Sequence, residues 1–169
     1  MILAQTPRIR IRQLTVSDAA FILELFNQPT FLRYIGDKGV HSLACAEHYL
    51  RSGPLASYAS SGLHMYLVEE RGTDRSLGLC GLIDRDELPG IDLGFALSSE
   101  HLGKGFASEA ARAVIALARA HFKLTELFAL THPDNTASQK CLLKLGFAFK
   151  ETLNADGFAE NSKLFHLTL

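Results

Sequence analysis

Tryptophan is absent from the 169 residues, and there are only three cysteines and five prolines. Cys45, Cys80 and Cys141 are an odd set without a CxxC pair, which argues against a disulfide framework or a structural zinc site and points to a reducing compartment. No apolar run approaches the roughly 18 residues a membrane span needs. Residues 1–8 lack a charged segment leading into a long apolar run, so a secretory leader is not expected and a cytoplasmic location is the default. Charge of one sign is also missing. Seventeen Lys and Arg against eighteen Asp and Glu leave a net charge of -1, which excludes attraction to nucleic acid by bulk charge.

What remains is ordinary globular composition, with 47% hydrophobic and 21% charged residues. At this length one core is expected, so the chain reads as a single domain over 1–169. Arg8-Ile9-Arg10-Ile11-Arg12 alternates charge with Ile and predicts a half-buried strand. Thr15 and Asp18 have capping-box spacing ahead of a helix over 19–26, stopped by Asn27-Gln28-Pro29. A second helix is expected over 42–51, ended by Gly53-Pro54, with a loop over 56–62. Strands follow at 65–69, 77–84 and 91–97, with hairpin-like spacing that makes them antiparallel.

The period then becomes 3.6. Ala107, Ala110, Ala111, Val114, Ile115, Ala118 and Phe122 share one helix face. A short strand at 127–130 and a helix over 136–145, capped by Asn135 and stopped by Gly146, come next. Strands at 147–153 and 163–169 end the chain. The order is β-α-α-β-β-β-α-β-α-β-β, an α+β plan with a central βαβ unit.

The segment richest in chemistry is Ser98-Ser99-Glu100-His101-Leu102-Gly103-Lys104-Gly105-Phe106-Ala107-Ser108-Glu109-Ala110, a strand end, a glycine turn and a helix start. The first N–H groups of a helix have no internal partners, and its dipole adds positive character there. Glycines let the backbone approach an anion closely, so a phosphate or pyrophosphate suits the turn, and Lys104 adds a local charge. A tight strand–helix junction without a ligand uses the same residues. Ser108 stands where a dinucleotide fingerprint wants a third glycine, and no Walker spacing is present. NAD and ATP are therefore poor candidates.

The strand Ile91–Leu97, the turn Gly103–Ala110, Pro133-Asp134-Asn135-Thr136-Ala137-Ser138 and Lys144-Leu145-Gly146-Phe147 together resemble the GCN5-related N-acetyltransferase (GNAT) superfamily. Within it the chain is most similar to the RimJ/RimL branch, whose opening strand and helix match 8–14 and 17–19. The resemblance implies a mixed, largely antiparallel twisted sheet around the βαβ unit, acetyl-CoA as donor, and an amine as acceptor. The amine is a protein α-amine or a small molecule.

On this resemblance the pyrophosphate lies on Gly103, Lys104, Gly105, Phe106, Ala107 and Ser108. Pantetheine adds to Phe95-Ala96-Leu97 as a peptide adds to a sheet edge, with an N–H near Phe95 for the oxyanion and Asn135 as a further contact. Asp92 becomes the base, directly or through water, and Ser138 the donor to the leaving thiolate. Strand surface and helix capping are the plain alternatives for these residues. No metal is implied, and oligomeric state is open, a homodimer included.

Glu100 departs from the family turn, which carries Gln or Arg there; a carboxylate beside pyrophosphate is unfavourable unless it points away or pairs with Lys104. Glu100 and the short Asp92 also suit a non-catalytic acyl-CoA-binding module. Cys141 is expected in the apolar side of its helix, and Phe31, Tyr34, Tyr49 and Tyr58 are expected in the core. His132 is a candidate for the acceptor side, and the acidic segment with Asp156 and Glu160 could attract a cationic acceptor.

Overall fold

A computed structural model describes residues 1–169. Eight strands form one sheet: β1 (Ile2–Gln5), β2 (Ile9–Arg12), β3 (Met65–Glu70), β4 (Ser76–Ile83), β5 (Asp92–Leu97), β6 (Glu126–Thr131), β7 (Ala148–Leu153) and β8 (Ser162–Thr168). Their spatial order is β1-β2-β3-β4-β5-β6-β8-β7. All neighbours run antiparallel except β5 and β6, which are joined by the crossover helix α5 (Phe106–Ala120). The expected α+β plan is the observed one.

Five further α-helices are present: α1 (Ala19–Phe26), α2 (Pro29–Tyr34), α3 (Leu43–Leu50), α4 (Ala56–Ser60) and α6 (Thr136–Lys144). Three of the sequence expectations change here. Pro29 was expected to end the helical region, yet it opens α2 at the first helical position, where its missing N–H costs nothing. Gly53-Pro54 was expected to end α3, but a π-helical turn at Arg51–Leu55 carries the chain on into α4, where a loop was expected. The wider turn accommodates a proline that has no N–H to donate and would crowd the carbonyl of Leu50 in an α-helix. β1 is an additional strand, paired with β2 between Ile2 and Arg12.

Burial splits the molecule into two layers across the sheet. On one face, α5 lays Phe106, Ala110, Ala111, Val114, Ile115 and Ala118 against Ile9, Ile11, Tyr66, Leu82 and Leu93. The small alanines bring the helix close to the strands. On the other face, Ile22, Leu25, Phe26, Phe31, Ala46 and Leu50 of α1–α3 cover Met65, Leu67 and Leu79. Beneath α1, Glu69 of β3 accepts hydrogen bonds from Arg10 Nε (2.9 Å) and Arg12 Nε (2.7 Å). Arg12 also grips Asp18 with both terminal nitrogens, so alternate residues of β2 serve two different layers. No helix is long and apolar enough to cross a membrane.

Candidate active site

The βαβ crossover leaves an opening in the sheet. β5 and β6 share a single register pair, Asp92 with Phe128, supported by Phe128 N–H donating to the Ile91 carbonyl at 2.9 Å. Beyond that point the strands diverge, and a cavity of about 1100 Å³ fills the gap and runs through to both faces.

The antiparallel register of β5 with β4 decides which backbone groups face the gap. Ser98 N–H donates to the Leu77 carbonyl at 2.9 Å, so Ala96, Gly94 and Asp92 pair in turn with Leu79, Gly81 and Ile83. The polar backbone groups of the alternate residues Leu93, Phe95 and Leu97 therefore point away from β4. For Leu93 the parallel pair takes up the N–H, but Phe95 and Leu97 lie where β6 has already departed. The N–H of Phe95, expected near the reacting carbon, thus faces the gap. Side chains alternate as well: Phe95 and Leu97 pack on the α5 layer, whereas Ala96 packs on the α1–α3 layer. Asp92, two positions from Gly94 and four from Ala96, shares that second face.

The lower half of the cavity is the glycine turn. Gly103 and Gly105 have φ of +74° and +82°, a left-handed region that a side chain resists. Gly105 caps α5, and the first helical bond in this region runs from Glu109 N–H to the Gly105 carbonyl at 3.1 Å. No acceptor of the chain takes the N–H groups of residues 103–108. Gly103, Gly105, Phe106, Ala107 and Ser108 line the cavity, and free amides at a helix start can hold a phosphate. Lys104 does not line it; its carbonyl accepts from Arg8 Nη1 at 2.9 Å. Arg8 also donates from Nε to Glu109 at 2.6 Å and stacks 4.6 Å above Phe106. β2's neighbourhood therefore fastens the turn, a role that sequence spacing did not reveal. Glu100 is largely exposed, lies 3.3 Å from His101 Nε2, and pairs with neither Lys104 nor the cavity wall.

α6 forms the opposite wall. Asn135 Oδ1 accepts from Ser138 N–H at 3.2 Å, the expected cap, and both residues also line the cavity. Ser138 Oγ has no partner within the chain. Lys140 and Lys144 reach the same wall. Cys141 lines it too, though it was expected in the core; burial raises its thiol pKa, which disfavours the nucleophilic thiolate.

Asp92 sits at the junction of the two halves, only 2% exposed. Burial pushes its carboxyl up to about 6, opposed by Arg85, whose Nε donates to Oδ1 at 3.1 Å. A carboxylate of this kind is ionised at neutral pH yet a competent proton acceptor. Above it, Phe31, Tyr34 and Tyr49 line the cavity; Phe31 and Tyr49 also pack in the α1–α3 layer, whereas Tyr34, expected in the core, packs in neither layer and is a wall residue only. Tyr58 does not line it: its hydroxyl donates to the Met65 carbonyl and accepts from Leu14 N–H. His132 lines the acceptor side and meets Tyr34 edge-on at 5.6 Å. Asp156 and Glu160 do not reach the cavity.

Sequence reasoning missed Arg85 and His64. Arg85 lies in Asp84-Arg85-Asp86-Glu87, which reads as a solvated hairpin connection. His64 is held just before β3, where Leu82 N–H donates to its carbonyl at 3.2 Å and Gly81 permits the approach. A Cβ on Gly81 would stand 2.2 Å from that carbonyl oxygen. Burial and Arg85 push the His64 imidazole down to about 4, so it is neutral.

Comparison with known proteins agrees with this geometry. An acetyltransferase (GNAT) domain family matches residues 8–148. An uncharacterised N-acetyltransferase, p20 of Bacillus licheniformis, is 29% identical over 153 residues, covering 89% of this chain and 84% of that protein. YoaA of Bacillus subtilis (strain 168), also an uncharacterised N-acetyltransferase, is 28% identical over 146 residues, 85% and 81% of the two chains. Among solved structures, RimL, a ribosomal L7/L12 alpha-N-protein acetyltransferase in complex with Coenzyme A, superposes with a TM-score of 0.85 at 14% identity, over 100% of this chain and 98% of that one. An acetyltransferase from Agrobacterium tumefaciens str. C58 gives 0.82 at 20% identity, over 98% and 94%. A glycine turn with free amides, a sheet opened between β5 and β6, and a family match over most of the length lead to one conclusion: the chain belongs to the GNAT acetyltransferase family.

Proposed function

We propose that the protein transfers the acetyl group of acetyl-CoA to a primary amine by direct attack within a ternary complex, with Asp92 as the base. The observation that carries this reading is a buried carboxylate beside the gap toward which the Phe95 N–H points. The pyrophosphate lies on the amides of residues 103–108, and the pantetheine arm runs along Phe95, Ala96 and Leu97 into the gap. That path brings the thioester carbonyl to the Phe95 N–H and its carbonyl carbon to the acceptor side.

An ammonium cannot attack, so the amine must first release a proton; an α-amine has a pKa of about 8 and a lysine about 10.4. Asp92 accepts that proton, directly or through one water. The nitrogen lone pair then forms the N–C bond while the carbonyl π electrons move to oxygen, where the Phe95 N–H stabilises the oxyanion. Collapse restores the carbonyl and breaks the C–S bond, and the CoA thiolate leaves with its electron pair. The second nitrogen proton passes through solvent to that thiolate, leaving a neutral amide and the CoA thiol, while Asp92 returns its own proton to solvent. Ser138 Oγ, free of partners in the chain, donates a hydrogen bond to that sulfur. A thiol pKa of about 8.5 makes further assistance unnecessary.

The test has two arms. Calorimetry with acetyl-CoA measures donor binding, and release of CoA is followed over a panel of amines, amino acids and peptides. Binding with amine-dependent CoA release is expected. A folded protein that binds no acetyl-CoA refutes the proposal, and binding without turnover of any acceptor converts it to an acyl-CoA-binding module.

A further inference from the structure

The acceptor half of the cavity carries a charge pattern that acetyl transfer as such does not require. Its lysine and arginine walls are Arg33, Lys38 and Arg85 against one carboxylate, Asp92, with Tyr34, Tyr49, His64 and His132 beside them. His64 contributes no charge, and the acidic residues near the cavity in sequence (Asp84, Asp86, Glu87, Asp156 and Glu160) are not among the walls. Asp92 is already matched by Arg85, so the remaining balance is cationic.

Arg85 itself is incompletely used. Its Nε is committed to Asp92 at 3.1 Å, its plane lies 5.3 Å from the Phe158 ring, and its side chain is 27% exposed. No acceptor of the chain meets either terminal nitrogen. A largely buried guanidinium with an unclaimed fork in a cavity is a bidentate site for a carboxylate. Its charge also reaches Lys38, Tyr49 and His64, which come from three separate segments, so Arg85 stands where the acceptor walls converge.

We propose that the Arg85 fork binds the carboxylate of the acceptor, and that the acceptor is a free amino acid. This rests on the acetyl-transfer reading above. The spacing follows from contact when Asp92 takes the proton directly: the group that takes the proton and the group that binds the anion touch each other at 3.1 Å, so amine and carboxylate are then separated by only one or two carbons. A free amino acid meets that condition. A peptide N-terminus presents a neutral amide at the same place, and a polyamine presents further cations to Arg33, Lys38 and Arg85. Phe31, Tyr34 and Tyr49 give the substrate side chain an apolar wall.

The experiment measures CoA release with the twenty protein amino acids, their carboxamides and spermidine, at saturating acetyl-CoA. The acids are expected to exceed their amides by about 10- to 100-fold in kcat/KM, the range of a hydrogen bond to a charged group. This holds although the amide's less basic amine sheds its proton more easily. Arg85→Gln should bring the ratio near unity while calorimetry shows acetyl-CoA binding unchanged, and Arg85→Lys should restore only part of it. Amides or spermidine used as well as the acids, or an acid preference that survives Arg85→Gln, overturn the assignment. The wild-type ratio decides even if neither variant folds. Turnover confined to neutral amines overturns this inference alone, whereas bound acetyl-CoA with no turnover of any amine removes the transfer reading as well.

Discussion

Replacing Asp92 by asparagine separates what the carboxylate does for chemistry from what it costs the fold. In the folded protein its pKa is about 6 against an ordinary 3.8, with burial as the main cause. Between those values the folded chain keeps a proton that the unfolded chain has released, so stability falls as pH rises through this window. Above about pH 6 the full penalty is present. Two pKa units correspond to about 3 kcal/mol. Asparagine has nearly the shape of the protonated acid and never ionises, so the variant should be more stable than wild type at pH 8, by up to about 3 kcal/mol, and nearly equal at pH 4. For a chain of this size each kcal/mol moves Tm by roughly 2–4 °C, so thermal unfolding at both pH values resolves the difference.

Activity should move the opposite way. With Asp92 as base, kcat/KM should fall by about 10²- to 10⁴-fold in the variant. The acid limb of the wild-type profile, near pH 6, should disappear. A variant that is destabilised at pH 8 would show that the Arg85 contact outweighs desolvation. A variant that keeps its rate and its acid limb would remove Asp92 from the chemistry.

The other predictions concern the cradle and the distant ion network. Gly105→Ala places a side chain at φ +82° and 3.3 Å from Arg8 Nη2. It should cost about 1–2 kcal/mol and weaken CoA binding about tenfold by calorimetry. Arg8→Met keeps apolar contact with Phe106 but frees the Lys104 carbonyl and leaves Glu109 with Thr6 alone. It should raise the CoA Kd several-fold while leaving the urea midpoint nearly unchanged; an unchanged Kd would show that the turn holds itself. Glu69→Gln, at a site 4% exposed, removes the buried charge that Arg10 and Arg12 share, leaving Arg10 with Asp74 and Arg12 with Asp18. The expected loss is about 3 kcal/mol in urea unfolding, the low end for breaking a buried pair because both arginines keep some exposure.

Features written into short stretches of chain were legible in advance. The alanine stripe of α5, the Asn135 cap, Gly146 at a φ of +98° and the glycine turn each depend on a few adjacent residues, and each appears where the pattern put it. The helices α2 and α4 were not legible, because Pro29 and Pro54 carry the same local signal whether a helix starts, widens or stops there. What settles them is contact with strands far along the chain: Phe31 of α2 packs with Met65, Leu67 and Leu79, and Tyr58 of α4 packs there too and donates its hydroxyl to the Met65 carbonyl.

By itself the sequence determined a single α+β plan, an anion-seeking helix start and the acetyltransferase family likeness, since these rest on spacing and backbone freedom. Tertiary structure alone decided that Asp92 is buried and touches Arg85. It also decided that Arg8 ties down a turn nearly a hundred residues away, and that α2 and the β7–β8 connection supply walls of the cavity. The physical reason is that desolvation and charge pairing depend on what surrounds a group in space. A strand aspartate reads the same in sequence at a surface and at the apex of an opened sheet.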